Sequence, residues 1–259
     1  MSMVEVEVTV DGDSIETRDL PLLDLAPYFA NEPGSKESLA EELRRASEEV
    51  GFLALKNHGI PQELLDRSIE ENKRFGALPM DEKLKIKVDQ HQRGYIQPKA
   101  TMIKHSTYHN NDTFDLNETT VFATEFSPDN PHVQAGKQFY SNNQWPENLP
   151  GFRETVEEYM TAMQELGKSL LPLWALALDL PEDYFEPYFR DNYTYYRMAH
   201  YPPSEVVGEN EYALGAHADT GFMTLLPAAD VEGLEILDTK GIWFRPRKVP
   251  GVIHVNIGQ

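Results

Sequence analysis

His217-Ala218-Asp219 sets an imidazole and a carboxylate two residues apart. Side chains alternate along a strand, so in an extended segment these two share a face. Nitrogen and oxygen donors of this kind suit a divalent first-row metal, and a site built from two imidazoles and one carboxylate leaves coordination positions open for other ligands. The tripeptide alone reads more simply as a surface turn entering a strand. Its flanks raise the metal reading: Tyr193-Thr194-Tyr195-Tyr196-Arg197-Met198-Ala199-His200-Tyr201-Pro202-Pro203 precedes it and Thr220-Gly221-Phe222-Met223-Thr224-Leu225-Leu226 follows. Other polar candidates are Lys104, His105, Tyr108 and His109, in a segment that reads as solvated loop or as pocket lining. Lys104, His105 and Arg93 are candidates to pair with a substrate carboxylate.

Bulk properties narrow the chemistry. The chain has 259 residues, 40% hydrophobic and 25% charged, enough for a real core. With no cysteine there is no disulfide and no thiolate metal site, which leaves His, Asp and Glu as ligands. A formal net charge of −20 repels phosphate backbones, so nucleic acid is not an expected partner. The first ten residues lack the basic start and apolar run of a signal peptide, and no apolar stretch is long enough for a bilayer. These features predict a cytoplasmic protein without a membrane partner.

The elements that must position the candidates follow from periodicity. Residues 4–10 alternate as an edge strand or a tail, and 20–25 form a short apolar strand. Ser38 and Glu41 read as a capping box for a helix carrying Leu39, Leu43, Ala46 and Val50, stopped by Gly51. A strand at 52–55 follows, then a helix from Pro61 burying Leu64, Leu65, Ile69 and Phe75. Segments 114–118 and 121–123 are expected to pair as strands. Residues 127–145 form a long irregular connection of the sort that often serves as a lid. The longest helix is expected at 150–178, its apolar stripe being core, with a kink at Pro172. Short strands then follow at 193–200, 221–226, 234–237, 242–244 and 252–257, a pattern of sandwiches and jelly rolls. No repeat or linker divides the chain, so 1–259 reads as a single domain. Its parts are an N-terminal helical and strand region at 1–124, the long helix within 150–180, and a jelly-roll core from 190.

At this point the residues match a known family. Gly51-Phe52-Leu53-Ala54-Leu55-Lys56-Asn57-His58-Gly59-Ile60, Phe75-Gly76-Ala77-Leu78-Pro79-Met80-Asp81-Glu82-Lys83, Asn143-Gln144-Trp145-Pro146, Arg197 with Tyr201-Pro202-Pro203, His217-Ala218-Asp219-Thr220, Gly233-Leu234-Glu235-Ile236 and Pro250-Gly251 leading to Gly258 occur in the family's order. The chain resembles the Fe(II)- and 2-oxoglutarate-dependent oxygenases of the isopenicillin N synthase-like group over nearly its whole length. The resemblance implies an α+β fold, a double-stranded β-helix (jelly roll) flanked by helices. It implies His217 and Asp219 as metal ligands and Tyr201 as a contact of 2-oxoglutarate, a role that stands beside plain packing against two prolines. Ala199 stands where many relatives carry asparagine, and His58 matches a structural position. Implied cofactors are Fe(II) and the cosubstrate 2-oxoglutarate. The implied reaction consumes O2, releases succinate and CO2, and oxidises a small-molecule substrate, most simply by hydroxylation, with desaturation or ring closure open.

In that family a second histidine ligand and an Arg-x-Ser grip on the far 2-oxoglutarate carboxylate come several dozen residues after the His-x-Asp. This sequence stops at Gln259, before both, so the C-terminal strands are expected in a longer natural chain. His254 is the only histidine after His217, on the face of its strand shared by Val252 and Asn256. Two other readings stay open here: an Fe(II)/O2 oxidase of the same fold that does not use 2-oxoglutarate, and a non-catalytic binding protein. Oligomeric state and substrate identity have no signature in the sequence.

Overall fold

The computed structural model of the chain describes residues 15–102, 114–203, 213–229 and 231–258. The candidate strand at 4–10 and the candidates Lys104, His105, Tyr108 and His109 lie outside the described residues. In chain order the elements are β1 (Glu16–Arg18), β2 (Leu22–Asp24), α1 (Ala26–Phe29), α2 (Ser35–Glu49), β3 (Phe52–Lys56), α3 (Gln62–Gly76), α4 (Met80–Lys83), β4 (Gly94–Ile96), β5 (Glu118–Ala123), α5 (Pro131–Gln134), α6 (Phe152–Ala177), β6 (Tyr195–His200), β7 (Met223–Pro227), β8 (Ile236–Leu237), β9 (Trp243–Pro246) and β10 (Ile253–Ile257). No described helix is long and apolar enough to cross a membrane. The chain packs as two compact units, one from Met1–Gln62, Met163–Arg190 and Ala218–Gln259, the other from Glu63–Ala162 and Asp191–His217.

In the first unit the four-stranded sheet runs β2-β3-β10-β7 and a smaller one β1-β9-β8. β3 is flanked by β2, parallel, and β10, antiparallel with Leu55 opposite Ile253. The helix α2 buries Leu39, Ala40, Leu43 and Ala46 at helical spacing. Leu43 shares an apolar pocket with Leu53, Leu55, Leu170, Leu173, Trp174 and Val255. This helix starts a turn earlier than the capping box predicts, at Ser35, with Gly34 as its N-cap and no side-chain cap. Ser35 bonds back to the Glu32 carbonyl through its N–H at 3.1 Å and its hydroxyl at 2.7 Å, so the Asn31–Gly34 turn feeds directly into the helix and leaves Ser38 inside it. Gly51 ends it as expected: φ is +82°, and its N–H caps the Ala46 carbonyl at 3.1 Å.

In the second unit β5 lies between β4 and β6, both antiparallel. One strand therefore replaces the expected pairing of 114–118 with 121–123. Thr119 and Thr120 continue the strand between them, all six residues are buried, and Phe114 is left 48% exposed. Phe75, Ile86, Tyr95, Phe122, Phe152, Val156 and Met198 form this unit's core. The stripe on α6 is core as predicted, and the helix is unbroken at Pro172.

The connection at 127–145 is pinned rather than loose. Arg93 is fully buried, and its guanidinium donates to the carbonyls of Ala123 (3.1 Å), Thr124 (2.8 Å) and Phe139 (2.7 Å) and to Asn143 Oδ1 (2.9 Å). The expectation that Arg93 meets a substrate carboxylate is thus corrected: both terminal nitrogens of its buried guanidinium are engaged by the end of β5 and by the loop. Gln144 adds bonds to the carbonyls of Lys87 (3.0 Å) and Arg93 (2.7 Å), and Trp145 stacks on Phe122 with centroids 4.6 Å apart.

A buried ionic cluster sits where β5 begins. Lys83 Nζ lies 2.8 Å from Glu118 Oε1 and 2.9 Å from Oε2, His200 Nδ1 lies 2.7 Å from Oε1, and the Tyr95 hydroxyl donates to Oε2. Burial pushes the Glu118 carboxyl up, but hydrogen bonds from Lys83, Tyr95 and His200 outweigh it and hold it below the usual carboxylate range. A carboxylate depressed in the folded state stabilises the fold above its unfolded value near 4.5, and that contribution disappears as pH falls through the lower folded value. Acid titration followed by tryptophan fluorescence should show unfolding setting in below that value, and Glu118→Gln should flatten this part of the pH dependence. An unchanged acid limb in the variant would remove Glu118 from the account.

Candidate metal centre

His217 ends an arm held to the start of β5. The buried Asp115 carboxylate accepts from the Gly215 N–H at 3.1 Å, and the Asn117 N–H donates to the Ala213 carbonyl at 3.1 Å. The His217 ring lies with Nδ1 2.9 Å from the Gly215 carbonyl. A carbonyl can only accept, so Nδ1 carries a proton, and in the neutral ring the lone pair then lies on Nε2, the arrangement of a histidine that ligates through Nε2.

Asp219 is oriented from the four-stranded sheet. Asn256 on β10 faces Thr224 on β7 in register, so both side chains reach one place. Thr224 Oγ1 donates to Asp219 Oδ2 at 2.5 Å, and Asn256 Nδ2 donates to the same oxygen at 2.9 Å. Gly258, just past β10, bonds through its N–H to the Gly221 carbonyl at 3.1 Å. A Cβ there would lie 2.2 Å from the Gly221 oxygen and 2.6 Å from the Asp219 oxygen, both backbone atoms. Gly258→Ala is therefore expected to displace the Asp219 turn and weaken Fe(II) binding by about tenfold or more, the scale of a lost supporting contact. Anaerobic metal titration checks this; unchanged affinity would mean the turn adapts.

Each donor suits a divalent iron by its own chemistry: the His217 imidazole, held through Nδ1, and the Asp219 carboxylate, held by Thr224 and Asn256. Among the described residues no group of three or more His, Asp or Glu side chains gathers in a metal-holding arrangement. His254 lies in β10 opposite Ala54 and Leu226, 8% exposed, and burial lowers its imidazole below the ordinary value. His58 is structural: Nε2 donates to the Gly251 carbonyl at 3.0 Å and Nδ1 accepts from the Ile60 N–H at 3.2 Å. Tyr201 is 51% exposed in the second unit; partial burial raises its phenol, opposed by the charge of Arg197 and the nearby Asn117 amide. Sequence reading did not single out Thr224, Asn256, Asp115 or Gly258 as supports. The available signal was weak, a lone polar residue in an otherwise apolar strand.

Comparison with known proteins gives the family of the chain. The profile of the 2OG-Fe(II) oxygenase superfamily matches residues 186–259, and one described as "non-haem dioxygenase in morphine synthesis N-terminal" matches 20–148. The 2-oxoglutarate-Fe(II) type oxidoreductase hxnY of Emericella nidulans is 35% identical over 92% of this chain and 69% of its own length. Kihadalactone A synthase LFS of Citrus sinensis is 34% identical over 97% and 75%. Among solved structures, a 2OG-Fe(II) oxygenase family protein from Caulobacter crescentus superposes with a TM-score of 0.77 at 27% identity, covering 95% of this chain and 75% of that one. A full-length Neurospora crassa protein crystallised with alpha-KG and thymine gives 0.78 at 22% identity over 96% and 76%, a likeness of fold. The α+β jelly-roll class expected from the sequence is the fold of these oxygenases, and the relatives favour 2-oxoglutarate use over the oxidase and binding-protein readings. By this agreement of sequence and fold, the chain belongs to the 2OG-Fe(II) oxygenase superfamily.

Proposed function

We propose that His217 and Asp219 supply two of the protein ligands to the iron of this Fe(II)- and 2-oxoglutarate-dependent oxygenase, and that Tyr201 contacts the cosubstrate. The observation that carries the assignment is the pair of supports, the Gly215 carbonyl on His217 and the Thr224–Asn256 pair on Asp219, since ligating side chains are held by such partners. Bound iron would supply the O2 chemistry, coupling conversion of 2-oxoglutarate into succinate and CO2 to oxidation of a small-molecule substrate. The protein's own part is to fix the donors. Gly215 keeps the His217 proton on Nδ1; Thr224 and Asn256 keep the Asp219 carboxylate in one orientation. We read the outcome as hydroxylation. The same reading puts the enzyme in the cytoplasm, where reducing conditions keep iron divalent.

The test is anaerobic Fe(II) titration with and without 2-oxoglutarate, following the visible charge-transfer band of the chelate. It is run on residues 1–259 and on the natural reading frame that contains them. A band that is lost in both His217→Ala and Asp219→Ala supports the assignment; a band that survives either substitution overturns that ligand.

A further inference from the structure

The end of β6 is held from two sides, by contacts that have no part in holding the metal. On one side lies α3. Its residues Ser68, Asn72 and Gly76 are four apart, so they line one face of the helix. Each meets β6. Ser68 Oγ lies 2.9 Å from the Tyr196 hydroxyl, Asn72 Nδ2 donates to the Ala199 carbonyl at 2.8 Å, and the His200 ring sits on Gly76. A Cβ at Gly76 would lie 2.9 Å from His200 Nδ1 and 3.0 Å from its Cε1, so the ring has this seat because the helix carries no side chain there.

On the other side lies β5. Glu118 faces His200 in register, and its Oε1 accepts from His200 Nδ1 at 2.7 Å. Glu118 is a fixed partner, buried and bonded as well to Lys83 and Tyr95; His200 is the member of this cluster that reaches solvent. Tyr201 comes next in the chain. β6 ends at His200, and Pro202 and Pro203 have no N–H with which to prolong a ladder. Tyr201 is therefore placed by its side-chain hydrogen bond with Asn117 and by the anchoring of the residue before it. Asn117 and Glu118, adjacent on one segment, thus hold Tyr201 and His200, adjacent on the other. The His217 arm is held separately, through the Asn117 N–H and the Asp115 carboxylate.

We propose that His200 is a positioning residue for the cosubstrate: seated on Gly76 and bonded to Glu118, it fixes the backbone from which Tyr201 reaches 2-oxoglutarate. The proposal rests on the reading of Tyr201 as a cosubstrate contact. A side chain that is already ordered does not have to be ordered on binding, so a fixed Tyr201 binds more tightly than a mobile one. Loss of His200 should therefore act on the cosubstrate and spare the iron histidine.

Anaerobic titration of the natural reading frame that contains residues 1–259 tests it, first with Fe(II) and then with 2-oxoglutarate. His200→Leu should weaken 2-oxoglutarate about tenfold, the scale of one lost bond to a charged group, and leave Fe(II) affinity within about twofold. His200→Asn should recover most of the loss, because its amide nitrogen can stand where Nδ1 does. Gly76→Ala should act in the direction of His200→Leu by pushing the ring off its seat, and it carries the test if His200→Leu fails to fold by circular dichroism. Amide hydrogen exchange at 199–201 in the ligand-free protein should quicken in His200→Leu and Gly76→Ala but not in His200→Asn. Equal weakening of Fe(II) and 2-oxoglutarate would mean a general loosening and would overturn the proposal. So would a His200→Leu protein that binds the cosubstrate like wild type while Tyr201→Phe does not. Unchanged affinity in Tyr201→Phe would instead remove the cosubstrate reading of Tyr201 itself, and the proposal with it.

Discussion

Asp219→Ala is expected to lower succinate formation from 2-oxoglutarate by on the order of a thousandfold or more, equivalent to about 4 kcal/mol. The substitution removes the only anionic donor of the proposed pair and leaves Thr224 and Asn256 aimed at an empty position. Removing only the supports should cost much less. Asn256→Val and Thr224→Val should each weaken metal affinity by about 10- to 100-fold, since the carboxylate remains but swings. The two kinds of change should be strongly non-additive: in an Asp219→Ala background, Asn256→Val should have almost no further effect. Turnover and Fe(II) affinity measured across the four proteins of that cycle decide the matter. Retention of more than about a tenth of wild-type activity by Asp219→Ala would sink the ligand assignment.

Arg93→Met carries the largest expected effect on stability, a loss of about 3–5 kcal/mol. The carbonyls of Thr124 and Phe139 would lose the bonds the guanidinium donates, and the Ala123 carbonyl and Asn143 Oδ1 would keep only the bonds they make with each other's residue. Burial already lowers the guanidinium below its ordinary value, with Tyr193, Glu125 and Asp89 opposing that shift, so this is a charge held at some cost for the bonds it makes. A chain of this size loses roughly 2–4 °C in Tm per kcal/mol, which predicts a fall of roughly 10 °C by calorimetry. Arg93→Lys should recover little, because an ammonium has three donors and cannot span the same fork. Limited proteolysis should cut first within 127–145 in the variant. A Tm within about 2 °C of wild type would show that the loop has other anchors.

Much of this molecule is readable from one-dimensional patterns, and the misreadings share a cause. The α6 stripe and the β3, β6 and β10 strands follow from periodicity alone, because burial of one face dictates the spacing. The start of α2 was misplaced because Ser38 and Glu41 satisfy a local rule that the turn before Ser35 overrides. Arg93 reads in sequence as a candidate partner for a substrate carboxylate. Only the fold reveals that three carbonyls and an amide close around it. Asp219 stood out as half of a His-x-Asp, whereas Asn256, 37 residues away, became legible only once β10 and β7 were in register. Contacts set by distant pairing leave no local signal.

The order of the four-stranded sheet bears on how the chain is made. β10 enters between β3 and β7, so β3 exists for roughly two hundred residues of further synthesis before its antiparallel neighbour emerges. At ribosomal rates that is a wait of about 10–40 s, during which one long side of a strand with three buried apolar residues stays open. The sheet of the other unit has all its strands much earlier, by His200. Nascent chains should therefore carry a formed β4-β5-β6 sheet beside an unfinished one. Expression yield should depend on holdase chaperones and on slow translation, through the non-local closure of a single strand rather than through any weakness of the finished fold.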